Sequence, residues 1–403
     1  LEAWEKVFVG DKYLASIHSV QNCIGCHGGV SGEKDKDAAH EGVVRDPAES
    51  QGVCGVCHSD ASQLDTTSLH KTVNGFRTKL TARGADLDDE TMQMAFNNHC
   101  NTCHATCGQC HISRPNFTAG GLIKKHEVKK ITSTRDTCMA CHGARVSNEY
   151  MGKNEDVEGS VHFKKGMMSC FDCHEVDDFH GDPTQPAHRY EGAPSVDCLE
   201  CHPEVADKEN ENLNHNIHLG QVDCAVCHAS GPYKSCSNCH VALDEKGLPY
   251  FETDESQMTF KIGHNVFKSK DRPYDYVLVR HVPVVSDTFA FYGENLLPDF
   301  DNVPTWKHAR PHNIVRNTTQ NESCNNCHGK ADLFLTANDV AEDELAANAA
   351  VIVAEDEVPP EVGDGDYPKV EPRTEAFESI WLLYILAALA AAAVVLGLLL
   401  IRF

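Results

Sequence analysis

Residues 100–111 read Cys100-Asn101-Thr102-Cys103-His104-Ala105-Thr106-Cys107-Gly108-Gln109-Cys110-His111. Two cysteines three positions apart, followed at once by a histidine, occur twice in this stretch. That spacing lets two thiols reach the two vinyl groups of one haem as thioethers, while the next residue sets an imidazole nitrogen on the iron. The first cysteines of the two blocks are only seven positions apart, so two such groups would be held close together.

Working outward, the same block recurs along the chain. The cysteine pairs are Cys23 with Cys26, Cys54 with Cys57, Cys100 with Cys103, Cys107 with Cys110, Cys138 with Cys141, Cys170 with Cys173, Cys198 with Cys201, Cys224 with Cys227, Cys236 with Cys239 and Cys324 with Cys327. The histidines that follow, His27, His58, His104, His111, His142, His174, His202, His228, His240 and His328, are the candidate proximal ligands. Ten blocks use all 20 cysteines of the 403-residue chain. With this composition, chance would give on the order of 0.05 complete blocks. A zinc site would need a second ligand pair rather than a trailing histidine each time, and a disulfide framework explains even numbers but no histidine. The expected cofactor is therefore haem c, ten per chain, covalently attached.

The sixth position on each iron decides the chemistry. Of 24 histidines, ten are proximal and 14 remain. His18, His40, His70, His126, His162, His180, His188, His218, His264 and His312 are the candidate distal ligands. His99, which touches Cys100, and His281, on an expected strand, are set apart from them. His312 is favoured over His308, and His215 shares a helix face with His218. Two histidines on one iron make a closed site suited to outer-sphere electron transfer, whereas methionine would raise the potential. With seven methionines, methionine ligation cannot be general. No catalytic residue is identified.

Composition agrees with an interior built largely by haem. Hydrophobic residues are 41% of the chain. Without the cysteines and the C-terminal apolar run, they fall to about a third of the rest, below an ordinary soluble domain. The formal charge is −25. That excludes nucleic acid as a natural partner, because phosphate binding needs a basic face, and favours a redox partner with a basic patch.

The expected fold class is mainly α-helix and coil, a multihaem array with short helices, a small β insertion and one C-terminal transmembrane helix. Residues 1–330 form the haem-bearing part. Leu1 to Glu5 lack a signal-peptide pattern, and the expectation is that such a segment was removed. Each block is expected on a short helical turn, with joins at Gly28-Gly29, Gly120-Gly121 and Pro183 to Pro186. Residues 241–323 carry no block, and Tyr276 to Val282 reads as a strand ended by Pro283. Residues 331–379 are acidic, with only Lys369 and Arg373 basic, and read as a mobile tether with a helix over Ala341 to Ala354. Residues 380–403 form the anchor. The uncharged run Ile380–Ile401 would span about 33 Å as a helix, with Glu375 and Glu378 outside and Arg402 on the cytoplasmic end.

The stretch Cys103 to Pro115, with Cys141-His142-Gly143-Ala144-Arg145 and Pro311-His312-Asn313-Ile314-Val315-Arg316, resembles multihaem cytochromes related to octahaem tetrathionate reductase. The resemblance covers about Ile17 to Lys330. It implies helix and coil around packed haem pairs, and in the reductase member a working haem with lysine on its distal side. This chain departs in having ten blocks. Lys124, Lys125, Lys129, Lys130, Lys164 and Lys165 lie near blocks, and none is matched to that lysine.

The function expected from these readings is electron transfer by a single-pass protein of the cell membrane, its haem domain periplasmic and its C-terminus cytoplasmic. It would connect a quinol-oxidising membrane complex to extracytoplasmic acceptors. The alternative is a reductase or oxidase of a small nitrogen or sulfur compound at one open haem, with Arg114, Arg135, Arg145 or Arg280 binding an anion. Those arginines would otherwise pair with haem propionates. A third reading is a filament subunit.

Overall fold

The structure is a computed structural model and describes residues 9–49, 51–181, 196–207, 210, 212–229 and 231–363. The expected membrane helix, His188 and the Pro183 to Pro186 join lie outside the described residues. Among the described residues no helix is long and apolar enough to cross a membrane. The larger of two compact units takes in Leu1–Cys198 and Gly220–Val362, and Leu199–Leu219 falls in the smaller one.

The described residues before the first strand form short helices and coil. These helices are too short to persist alone, and local capping sets their starts. Asp89 accepts from the amides of Thr91 and Met92, Thr106 from Gln109, and Asp223 from Ala225. Each such cap is worth about 1 kcal/mol. Three of the capped helices, Cys107–His111, Cys224–His228 and Glu90–Ala95, carry or immediately precede a cysteine block.

The expected helical turn is found at nine blocks and fails at one. Cys236, Cys239 and His240 lie within β1 (Tyr233–Leu243), paired antiparallel with β2 (Pro249–Met258) from Tyr233–Met258 to Leu243–Pro249. The register slips between Ser237 and His240, where Asn238 takes a positive φ of 48°. The partner strand, with Tyr250, Phe251 and Thr253, is rich in β formers. Its ladder satisfies backbone groups that a helical turn would otherwise have used.

A second sheet has the order β3 (Lys261–His264), β4 (Tyr276–His281), β5 (Trp306–His308), all antiparallel. The strand read from the sequence at 276–282 is thus β4, with Pro283 just beyond it. β4 is central and buried on both faces. Leu278 packs with Val226, Ala229, Ile262, Ala309, Phe334 and Val353. Val277 and Val279 face the other way, toward Trp306, Leu335, Val340 and Val351.

Those last residues correct the expectation of a mobile tether beginning at Ala331. The chain is packed as far as Val362. Leu335 and Val353 are fully buried. The Leu335 amide donates to Ile262 O at 2.8 Å, Val353 to Leu335 O at 2.8 Å, and His264 to Val351 O at 2.9 Å. The segment therefore continues the sheet past β3. Most of its acidic residues face outward while Phe334, Leu335, Val340, Val351 and Val353 insert, a pattern that an average over the stretch conceals. The helix expected over Ala341 to Ala354 shrinks to Leu345–Asn348, because Val351 to Val353 are drawn into this extended pairing.

The block-rich region has less interior of its own. Ile17, Val20, Val56, Ile131 and Met167 are 72–87% exposed. Isolated exposed apolar residues are ordinary, but these sit beside or within cysteine blocks, where a flat apolar macrocycle would cover them.

Candidate functional site

Seven of the ten block imidazoles have an acceptor at Nδ1. His27 Nδ1 lies 2.7 Å from Val44 O, His111 Nδ1 2.5 Å from Lys129 O, and His228 Nδ1 3.0 Å from Val315 O. His328 Nδ1 is 3.2 Å from Pro360 O, and His240 Nδ1 3.1 Å from Asn238 O. Carboxylates serve His174, through Asp178 at 3.2 Å, and His202, through Glu204 at 3.3 Å. Carbonyl oxygens can only accept, so Nδ1 carries the proton and Nε2 keeps its lone pair. That is the tautomer a metal-ligating histidine needs, and the acceptor also fixes the ring. His240 differs in that its Nε2 meets Asp287 at 3.2 Å.

Four of the candidate distal histidines are brought to proximal ones. The centroid separations are 6.3 Å for His18–His58, 6.2 Å for His27–His126, 6.2 Å for His70–His142 and 6.1 Å for His111–His180. Two imidazoles on opposite sides of one metal ion, each bonded at about 2.0 Å with its ring centre about 1.1 Å farther on, have centroids about 6.2 Å apart. The interplanar angles range from 3° to 81°, which is free to vary by rotation about the ligand axis. The residues present therefore fit haem. Each pair is crossed, joining a block to a histidine from another part of the chain. Burial pushes the pKa of His142 down to about 4, with His70 and His312 adding to the effect, and so favours its neutral form.

The remaining candidates fall into different settings. His40 Nδ1 lies 2.6 Å from Lys36 O, and His218 Nδ1 2.9 Å from Asn214 O. His162 Nδ1 lies 3.3 Å from Ser160 Oγ, and His312 Nδ1 3.1 Å from Arg310 O. His40, His218 and His312 have the same tautomer-setting geometry, whereas the Ser160 hydroxyl beside His162 can donate or accept. His264 is turned otherwise, with Nε2 3.1 Å from Glu357 Oε2 and the ring stacked on Tyr276. His99 and His281 likewise spend Nε2 on Tyr292 and Glu344. His308 is buried on β5, and His215 lies on the Leu213–His218 helix.

None of the 20 cysteines is joined in a disulfide. Thiols of different blocks stand close enough to act on one another's ionisation in four pairs: Cys54 with Cys107, Cys103 with Cys141, Cys138 with Cys170, and Cys198 with Cys224. Blocks distant in sequence are thus adjacent in space.

The spacing rule treats both cysteines of a block alike, and the structure does not. The second cysteines of four blocks, Cys26, Cys57, Cys173 and Cys201, have surroundings of their own. Cys26 is half-buried; it stands with Cys23 beside Tyr13, and close enough to Cys54 that its negative charge would oppose ionisation there. Cys57 is exposed, one turn on from Cys54, whose carbonyl accepts from the Cys57 amide at 3.2 Å. Cys173 is half-buried, and with Cys170 it lies beside Tyr150, whose pKa rises to about 12, chiefly through burial. Cys201 is exposed and ends the helix Cys198–Cys201. Residues three apart in a helix lie about 60° apart around the axis and about 4.5 Å apart along it, so the two thiols of a block share a face yet can meet different neighbours, as Cys138 and Cys141 do.

One residue escaped sequence reasoning. Glu149 is fully buried and accepts from Arg145 Nη1 at 3.0 Å, from the His312 amide at 2.9 Å, and from the Tyr233 hydroxyl. It ties a helix, a loop and β1 together at a candidate ligand. Burial alone would push its carboxyl up; His312, Arg145 and Tyr233 outweigh that and hold it below the ordinary value. The available signal was the i,i+4 spacing of Arg145 and Glu149.

No family model matches the chain, and no solved structure matches it. A curated protein named Probable fumarate reductase Ifc3, from Shewanella frigidimarina, is 31% identical over 116 residues, 28% of this chain and 18% of that protein. The chain thus spans less than a fifth of the relative's length. Together with the 20 cysteines, this likeness supports covalently bound haem c and electron transfer at the general level.

Proposed function

We propose that this chain is a ten-haem c-type cytochrome, anchored by Ile380 to Ile401, that carries electrons between a quinol-oxidising membrane partner and an extracytoplasmic acceptor. It is proposed as a relative of the octahaem tetrathionate reductase-related cytochromes. The observation that carries this reading is the set of four crossed histidine pairs at 6.1–6.3 Å. When bound, haem supplies reversible one-electron chemistry at iron.

The chain's own residues do the rest. Cysteine pairs would hold each haem covalently, and the paired imidazoles would supply nitrogen ligands to its iron. The Nδ1 acceptors hold the rings in orientation and keep Nε2 basic. The net charge of −25 suits a basic soluble partner and gives an association rate that falls with salt. Intact-mass measurement of the membrane-extracted protein tests the count: ten haems per chain supports the reading, and fewer corrects it.

One observation favours a second reading, a reductase or oxidase of a small nitrogen or sulfur oxyanion. A cleft of about 390 Å³ beside His162 is lined by Lys164, Lys165 and Arg316. Reduction of such an anion by the chemically reduced protein, lost on replacing Arg316, would establish it.

A further inference from the structure

The block Cys138–His142 is touched from three sides. Its Cys141 thiol meets Cys103 of the third block, and its Cys138 thiol meets Cys170 of the sixth. The fourth block reaches it as well, since Cys110 stands near Cys138, and the turn Asn116–Thr118 that follows that block packs on the helix Cys138–His142.

Other contacts give the same adjacencies. Phe179 stands between the fifth and sixth blocks, with centroids 6.1 Å from His70, 6.4 Å from His174 and 5.6 Å from Phe171. His70 is the ring paired with His142, and its carbonyl accepts at 2.9 Å from the amide of Ala105, in the link between the third and fourth blocks.

Beyond these neighbours the packing continues in arms. From the fourth block, Cys107 meets Cys54 of the second, and Gly108 comes so near Ala48 that a Cβ there would lie 2.8 Å from it. The second block is reached in turn by His18, five residues before Cys23 of the first block. From the third block, His99 packs edge-on to Phe251 of the ribbon that carries the ninth block, at 5.5 Å. Cys23 and Cys236 are exposed where these two arms end.

We infer that the array is branched rather than a linear series, and that the block Cys138–His142 is its branch point, with the blocks at Cys100, Cys107 and Cys170 around it. This rests on the proposed haem occupancy. A branch with two exposed ends lets electrons arriving at one surface leave at another or pass to the third arm, so the chain would distribute electrons as well as conduct them.

The test is an anaerobic redox titration of the full-length holoprotein, resolved haem by haem by NMR. His70→Met places a thioether opposite His142 and raises that haem's potential, so it is reduced first. The extra electron then lowers the midpoints of adjoining haems. Three shifted neighbours are expected, against two for His18→Met, which acts on the second block inside an arm. Two or fewer shifted by His70→Met would overturn the branch. Should that variant lose haem on maturation, nuclear Overhauser contacts in the fully reduced wild type count neighbours directly. Contacts from the haem on Cys138 and Cys141 to three others uphold the branch, and contacts to two or fewer refute it. A wild-type mass lacking haem at these blocks would sink the occupancy reading itself, a failure distinct from a miscounted junction.

Discussion

The imidazole of His180, just after the sixth block, lies parallel to that of His111 in the fourth, 6.1 Å away and 3° out of plane. Nothing in local sequence joins them. The separation is that of two ligands on one metal, so the fold brings histidines from one block to another. Each crossed pair would tie two distant chain segments through one iron, making haem attachment and folding interdependent.

His180→Ala should therefore open one iron. The expected result is one haem per chain converted to a high-spin ferric signal in EPR spectra, the others remaining low-spin. His264→Ala should leave the spectrum unchanged, because the Nε2 of His264 faces Glu357.

Leu335→Ala should destabilise the protein by about 3 kcal/mol, the ordinary cost of emptying a buried leucine site. Leu335 is fully buried behind β4. A mobile tether would tolerate the change, so the thermal midpoint followed by circular dichroism distinguishes the two.

Glu149→Leu should cost about 3 kcal/mol, because it leaves Arg145 and the His312 amide without their buried partner. Glu149→Gln keeps the shape and should cost less. The folded-state pKa of Glu149 is depressed, so its contribution is present above the unfolded carboxyl value and lost as pH falls through the folded one. Chemical unfolding between about pH 6 and about pH 3 should show a shallower acid loss in the Gln variant.

Lys307 gives the opposite end of the pH scale. Burial, with Lys79 and Arg83 nearby, lowers its pKa to about 8 from 10.5. Below the folded value both states are protonated and the burial cost is present in full. Above it the folded state sheds its proton first, so stability should rise between about pH 8 and about pH 10.4. Lys307→Met should remove that rise and increase the thermal midpoint at neutral pH.

Much of this was legible in the sequence because covalent chemistry imposes local spacing. The cysteine blocks, their helical turns and the strand at Tyr276 follow from neighbours in the chain. What the sequence hid was non-local. Nothing in the residues around His18, His70, His126 or His180 says which block each would meet. Nor does the spacing say that Cys54 would face another block while Cys57 stays exposed. The ninth block's strand depends on a partner strand that begins beyond it, at Pro249. The acid-rich segment after Ala331 concealed Leu335 and Val353 because average charge hides the few apolar residues that insert. Glu149 gains its buried place from Tyr233 and the His312 amide, both distant in sequence.

The central claim, a set of irons closed on both faces by histidine, is tested most directly by a carbon monoxide difference spectrum of the detergent-solubilised, dithionite-reduced protein, calibrated against total haem. Carbon monoxide binds ferrous haem only where the sixth position is open or easily displaced. The account predicts no spectral change in a protein carrying its full haem complement. A signal worth one haem or more per chain would contradict it and move the function toward catalysis.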